Sequence, residues 1–365
     1  MSRIKNILFV MGRFGVGGTE RVTIALCNEW VRRGASVTLV AFDIYDKTLL
    51  IGMDRCVEIV ELAMPAFRLS RVRRLRQVIQ RIRPDWIINQ WALPAPVSIM
   101  LKYAMFGLRT RLMVVQHSMP DQNKKILTSS GLKRKVWHFV SALNLRVVYA
   151  LSDVYVVLSK SYIGRLANFI GISTENKIRA VGNPLTMSVP TGIVKENLII
   201  YIGRFSPEKR VDRVIEVWRE IEKALPSWSL EILGDGPERQ EIEMSARGLP
   251  RVKFCGFQPP AQYYARAKIL LLTSEFEGLP MSILEGASAG CVPVVYGSFS
   301  SAYDILSLKE GVVVDVPWAK EKFSEAVKLL ARDDRCWLDM SLAAREMSSR
   351  YTIESVVDDY ERIMV

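Results

Sequence analysis

The sequence predicts an α/β protein of two tandem doubly wound, Rossmann-like domains facing a cleft. Three observations carry this. The chain has 365 residues, and domains run to roughly 100–200 residues each. Apolar strand-like runs alternate with amphipathic helical stretches, the pattern of a parallel sheet covered on both faces. That alternation runs through twice, on either side of a Pro- and Gly-containing stretch at 184–197. The domains are placed at 1–187 and 198–345, with 346–365 as a C-terminal helix packing back toward the first.

The first cycle opens with an apolar β-rich run at 6–10, then a Gly-rich turn. Helical spacing of Val22, Ala25, Leu26 and Trp30 follows over 19–33. Strands are predicted at 37–41 and 57–62, and a helix at 69–83. Pro84-Asp85 breaks that helix before a strand at 86–89. A helix at 95–106, a strand at 112–116, a helix at 131–150 and a strand at 154–158 complete the cycle. The second cycle has strands at 198–202, 229–233, 252–255, 269–272 and 292–295, with helical segments between them. Three helices, near 320–331, 335–349 and 352–365, end the chain.

With 49% hydrophobic and 24% charged residues, the composition excludes disordered, collagen-like and disulfide-scaffold classes. No apolar run approaches the ~20 residues of a membrane span. Ile7–Met11 is too short for a leader's apolar region and reads as a buried first strand. Five cysteines without a C-x-x-C pair, and two histidines, exclude a Cys/His zinc site and point to a reducing cytoplasm. The net charge of +12 is unevenly spread. Residues 1–190 carry 28 Lys and Arg against 11 Asp and Glu, and residues 191–365 carry 22 against 27. For so basic a first half an anionic partner is expected: nucleic acid, a phospholipid surface or a phosphorylated substrate.

Three motifs carry chemistry. Gly12–Arg21, with Gly12, Gly15, Gly17 and Gly18, follows a strand and opens a helix whose free N–H groups suit an anion. Its glycines do not fit the dinucleotide fingerprint G-x-G-x-x-G. The alternative is a tight strand-to-helix turn. Gly203–Arg210 follows the strand ending at Ile202. There Ser206 reads as an N-cap, with Pro207 at the first helical position. Lys209, leaning back toward the helix start, joins Arg204 in a two-cation clamp for a diphosphate. The alternative is surface solvation of these charges. In Glu275–Gly286, Glu277 lies in a loop and Glu285 in the next helix, whose start at Gly278, Leu279, Pro280, Met281 and Ser282 offers N–H groups to a phosphate. The two carboxylates suit sugar and ribose hydroxyls; the alternative is a favourable charge near a helix N-terminus. His117 ends a predicted strand, where ligands gather in such folds, whereas His138 reads as structural.

Together these motifs resemble the retaining, GT-B-fold nucleotide-sugar glycosyltransferases that build bacterial surface glycans. The resemblance covers nearly the whole chain: G-G-x-E-R early, a His after a middle strand, G-R-x-x-x-E-K, E-G-x-P-x-x-x-x-E, and G-x-P-V-V at Gly290–Val295. The last stands in this chain as Gly290-Cys291-Val292-Pro293-Val294-Val295, with two residues between Gly and Pro. The resemblance implies a donor diphosphate facing the backbone of Gly18 and held by Arg204 and Lys209. Glu277 would bind the donor sugar, Glu285 the ribose, and the loop at Gly256 and Phe257 the nucleobase, with His117 near the reacting carbon in a donor or electrostatic role. Retention follows from the resemblance alone. No D-x-D motif is present, so no metal or other cofactor is expected, and Glu277, His117, Arg204 and Lys209 are the catalytic candidates. The donor expected is a nucleotide-sugar, UDP-linked by family weight.

The basic half points to a membrane. Residues 68–83 hold seven arginines around an apolar stripe that is expected to pack on the sheet as core, leaving the arginine side to a membrane or lipid diphosphate or merely to solvent, and Lys124, Lys125, Lys133, Arg134 and Lys135 form a second cluster. Both suit the anionic inner leaflet, so a lipid-linked saccharide acceptor and peripheral attachment to the cytoplasmic face are expected. Gln90-Trp91 and 118–125 are plausible acceptor contacts. Nucleic acid is not expected, since no such motif or stacking aromatics appear. The rivals are a non-catalytic GT-B-fold partner in a glycan-synthesis complex and a GT-B-fold sugar-nucleotide epimerase.

Overall fold

The computed structural model describes residues 4–15, 17–62, 69–90, 95–119, 130–173, 175–190 and 192–365, without the side chains of Leu69 and Arg71. Trp91, Arg68, Lys124 and Lys125 lie outside the described residues. The chain forms two compact units, Met1–Thr186 with Ile353–Val365, and Met187–Thr352.

The first unit runs β1 (Asn6–Phe14), α1 (Gly18–Arg32), β2 (Ser36–Ile44), β3 (Glu58–Glu61), α2 (Leu69–Ile82), β4 (Trp86–Asn89), α3 (Ala95–Ala104), β5 (Arg111–Gln116), α4 (Gly131–Leu151), β6 (Val154–Val157), α5 (Ser161–Ile170) and β7 (Ile178–Ala180). Its seven strands are parallel in the order β3-β2-β1-β4-β5-β6-β7. Crossover connections place helices on the sheet faces, so both faces of the central strands are apolar. On one face Leu8, Val10, Ile87, Val114 and Val157 pack with Leu75 and Ile79 of α2, Leu101 of α3 and Val148 of α4. Ile353–Met364, the last helix, packs against α1. Arg33 joins the two, donating to Asp358 at 2.6 Å and to the Glu354 carbonyl at 2.8 Å, while its Nε bonds the buried Glu29.

The second unit runs β8 (Glu196–Ile202), α6 (Val211–Ile221), β9 (Ser229–Leu233), α7 (Arg239–Ser245), β10 (Val252–Gly256), α8 (Ala261–Arg266), β11 (Ala267–Leu272), α9 (Met281–Ser288), β12 (Val292–Tyr296), α10 (Ser301–Ile305), β13 (Val312–Val314), α11 (Lys320–Arg332) and α12 (Asp334–Ser348). Ile353–Met364 is α13. Six parallel strands lie in the order β10-β9-β8-β11-β12-β13.

The structure corrects the sequence reading locally. β1 continues through Gly12-Arg13-Phe14 because β2 pairs with it as far as Phe14↔Ile44, which puts Gly12 in the strand and not in the turn. Ser206 and Pro207 do not open a helix. They sit in a turn closed by Lys209 N donating to Ser206 O at 2.9 Å, and α6 begins at Val211 after Arg210, whose φ is 48°. The three-residue edge strands β7 and β13, and helix α5, were not anticipated.

Candidate active site

In each sheet the first strand has its chain-neighbour on one side and a later strand on the other, so the connections diverge there. That reversal opens a crevice at the carboxyl ends of the strands, where open α/β sheets bind ligands. In the second unit the reversal lies between β8 and β11, and the second and third motifs follow these two strands.

The two loops are joined side chain to side chain. Lys209 Nζ donates to Glu277 Oε1 at 2.6 Å, and Ser274 Oγ donates to the same oxygen at 2.8 Å. Glu275 N donates to the Glu208 carbonyl at 2.8 Å, and Thr273 Oγ1 donates to the Arg210 carbonyl at 2.9 Å. Arg213 lies against the edge-to-face pair of Tyr296 and Trp318, 4.7 and 4.6 Å from their centroids, and pairs with Glu275 at 2.5 Å. A stacked, buried guanidinium with a carboxylate partner is held rigidly, so the loop carrying Glu277 is braced from below. The β8 loop is braced by close backbone approach. A Cβ on Gly234, whose φ is +136°, would fall 1.9 Å from the Gly203 carbonyl oxygen. Under this loop the buried Tyr201 hydroxyl is pushed well above its usual pKa by burial and by Glu277, Glu208 and Glu238.

Arg204 is exposed on the same loop, and its side chain makes no hydrogen bond or ion pair with a described residue; its charge acts on Glu208. Ser206 Oγ donates to Glu208 at 2.6 Å. Gly278, Leu279 and Pro280 lead into α9, whose first residues are Met281 and Ser282. Glu285 is buried in α9 and accepts from Tyr264 Oη at 3.2 Å, so its carboxylate is recessed. Gly256 ends β10 with φ +67°, and Phe257 beyond it is exposed. Among the described residues no three His, Cys, Asp or Glu side chains gather as a cation site.

Gly18 and His117 belong to the first unit, on the carboxyl edge of its sheet. Gly18 is the first residue of α1, so its N–H is among those left free by the helix geometry. Gly15 lies against the Tyr45 ring, which a Cβ there would enter. His117 follows β5. Its Nε2 lies 2.7 Å from Oε1 of Gln90, the residue after β4, and burial depresses the imidazole pKa from 6.5 to about 4. Burial thus favours the neutral ring. Arg210, Arg213, Ser274 and Glu275 were missed in the sequence. Only the motif-bordering positions of Arg210 and Glu275 offered a signal.

The comparisons with known proteins meet this geometry. A family model described as glycosyl transferases group 1 matches residues 187–347, and one described as Glycosyltransferase Family 4 matches residues 16–188. An uncharacterized glycosyltransferase of Haemophilus influenzae is 22% identical, covering 98% of both chains. At the same identity and coverage stands a Campylobacter jejuni α-1,4-N-acetyl-D-galactosaminyltransferase, named for a GalNAc-extended diNAcBac-PP-undecaprenol. The crystal structure of Anabaena HepE in complex with UDP superposes with a TM-score of 0.77 at 17% identity, covering 98% of both chains. Two family models that together span both units, and a fold shared over the full length, place this chain among the GT-B-fold nucleotide-sugar glycosyltransferases, as an enzyme of that class.

Proposed function

We propose that the protein is a retaining, metal-independent glycosyltransferase of bacterial surface polysaccharide synthesis, moving a hexose or N-acetylhexosamine from a UDP-sugar to a lipid-linked saccharide. The observation that carries this reading is the Lys209–Glu277 contact at the reversal point of the second sheet. Breaking the anomeric C–O bond sends its electron pair to the nucleoside diphosphate, so the enzyme must meet new negative charge there. Arg204 and Lys209 meet it with two cations, helped by the N–H groups at Gly278–Ser282 and of Gly18. Glu277 accepts from hydroxyls of the donor sugar, holding Lys209 in place until the diphosphate arrives. Glu285 accepts from the ribose and the backbone at Gly256 and Phe257 meets the base. The acceptor oxygen then bonds to the anomeric carbon on the face the diphosphate leaves, and its proton passes to the departing diphosphate oxygen. The UDP of the Anabaena structure and the undecaprenol-linked substrate in the Campylobacter enzyme's name support the donor and acceptor classes.

The acceptor would be met at the inner face of the membrane, on an anionic bilayer. The arginine helix α2 is not the apolar contact: Leu75, Val78 and Ile79 of its stripe are buried in the core. Among the described residues an apolar face is left open on α4, where Leu132, Val136, Phe139, Val140 and Leu143 are exposed at helical spacing. Helices α2, α3 and α4 together carry ten Lys or Arg and no Asp or Glu. A second copy docked there by two-fold symmetry would bring like charges together, whereas an anionic bilayer satisfies both the apolar stripe and the cations. No described helix is long and apolar enough to cross a membrane.

The test is thermal stabilisation in EDTA by UDP, GDP, ADP and their sugars. A ligand at 100 times its Kd adds about 2.7 kcal/mol, so a selective UDP-sugar shift, weakened in Lys209→Ala, is the expected result. No shift with any nucleotide would overturn the reading.

A further inference from the structure

The carboxyl edge of the first sheet holds a second polar pair. Gln90 and His117 are 27 positions apart, but β4 and β5 are neighbours paired at Asn89↔Val114, so the residue after each strand meets the other. Gln90 is 3% exposed. Its Oε1 is 2.7 Å from His117 Nε2, while its own Nε2 is buried with no hydrogen-bond partner among the described residues. The backbone at this edge is held firmly. Gln90 N donates to the Val10 carbonyl at 3.0 Å, and Tyr155 Oη donates to Oε1 of the buried Gln116 at 2.7 Å, one residue before the histidine.

A carbonyl oxygen facing a ring nitrogen requires that nitrogen to carry the proton. A neutral imidazole has one proton, so with Nε2–H given to Gln90, Nδ1 is left as an acceptor. Burial alone keeps the ring neutral, and no charged group among the described residues acts on it. A buried amide donor without a partner is rare in folded proteins and calls for an outside acceptor. The edge therefore presents one unused acceptor and one unused donor, the complement that a sugar hydroxyl satisfies.

We propose that Gln90 is a positioning and specificity residue: its Oε1 fixes His117 in the Nε2–H tautomer so that Nδ1 accepts from a substrate hydroxyl, and its Nε2 donates to a hydroxyl oxygen of the sugar. This deepens the transferase reading and rests on it only for the identity of the ligand. It reverses the direction of the histidine's hydrogen bond: the ring side chain accepts from substrate and does not donate.

The chain has two histidines, so imidazole ¹⁵N NMR resolves the question without any activity. His117 is expected as the Nε2–H tautomer at pH 7, with His138 as the internal control. Gln90→Met should lose that tautomer preference while the His138 signals stay in place. Gln90→Glu retains an acceptor oxygen and should restore the tautomer, and its carboxylate should raise the pH at which His117 titrates. In transfer assays Gln90→Met should lower kcat/KM about 10-fold or more, with the UDP-induced thermal shift unchanged. A wild-type Nδ1–H tautomer overturns the proposal, as does a Gln90→Met protein with unaltered tautomer or unaltered kcat/KM. Loss of the nucleotide shift in the wild-type protein would instead overturn the transferase reading and leave the tautomer result standing.

Discussion

Replacing Val136 and Phe139 together with serine should detach the protein from anionic membranes without disturbing its fold. Full burial of a Val or Phe side chain is worth about 1.5–3 kcal/mol. Val136 is 51% and Phe139 67% exposed, so inserting what is now in water gains about 0.8 and about 2 kcal/mol. Their loss, about 3 kcal/mol, lowers partitioning roughly 100-fold. Both side chains face solvent in the free protein, and serine differs little from valine or phenylalanine in helix propensity, so the melting temperature should hold. The assay is co-sedimentation with sucrose-loaded vesicles of neutral lipid, with and without anionic phospholipid. The apolar contribution survives added salt, whereas that of Lys133, Arg134 and Lys135, about 1 kcal/mol each, fades as the Debye length shrinks. The wild type should therefore retain a salt-resistant fraction that the double variant lacks. Equal binding by both proteins would refute α4 as the inserted face. Binding lost instead in Arg73→Glu/Arg74→Glu would return the membrane contact to α2. A self-associated wild type that the double variant dissociates would make this face a contact between copies.

Three further outcomes can be measured. Lys209→Ala and Glu277→Ala should each lower kcat by roughly 100- to 1000-fold, the usual cost of removing one charge-stabilising contact; turnover near wild type in either would remove the pair from the site. Burial holds the His117 imidazole at about 4, below the ordinary 6.5, so the unfolded chain binds the extra proton between these values. The wild type should lose up to about 3 kcal/mol relative to His117→Gln as pH falls from about 6.5 to about 4, and a flat difference in urea unfolding across that window would contradict the burial argument. Arg33→Met should destabilise by about 2–3 kcal/mol, because it removes a partner of the buried Glu29 and unties α13; limited proteolysis near Thr352 should then release the last helix faster, and unchanged cleavage would show that apolar packing alone holds it.

What was legible in the sequence was whatever repeats locally. Two cycles of strand and helix, with the break at 184–197, were open to reading because parallel strands buried on both faces are nearly continuous apolar runs. β7 and β13 have three residues each and sit at sheet edges, too short for any period to register. β1 was read short because glycine and arginine at 12 and 13 look like loop, yet pairing to β2 carries the strand to Phe14. Ser206-Pro207 has the right chemistry for a helix start, but the chain spends one more turn before Val211, and that turn is what lets Lys209 reach Glu277.

The site divides along the same line. Arg204, Lys209, Glu277 and Glu285 stood out as candidates because each belongs to a short motif, whereas Arg213, Ser274 and the Gln90–His117 contact belong to no motif and come together only through strands that adjoin in space. Gln90 meets His117 because β4 lies between β1 and β5, an order set by crossover connections and not by any local spacing. The same reasoning explains the membrane face. The arginines of α2 were conspicuous, yet which helix keeps its apolar stripe uncovered depends on what packs against it. α2 is covered along Leu75, Val78 and Ile79, while most of the first ten residues of α4 remain exposed. Charge density in a sequence therefore locates the basic unit, and only the packing decides which of its helices can enter a bilayer.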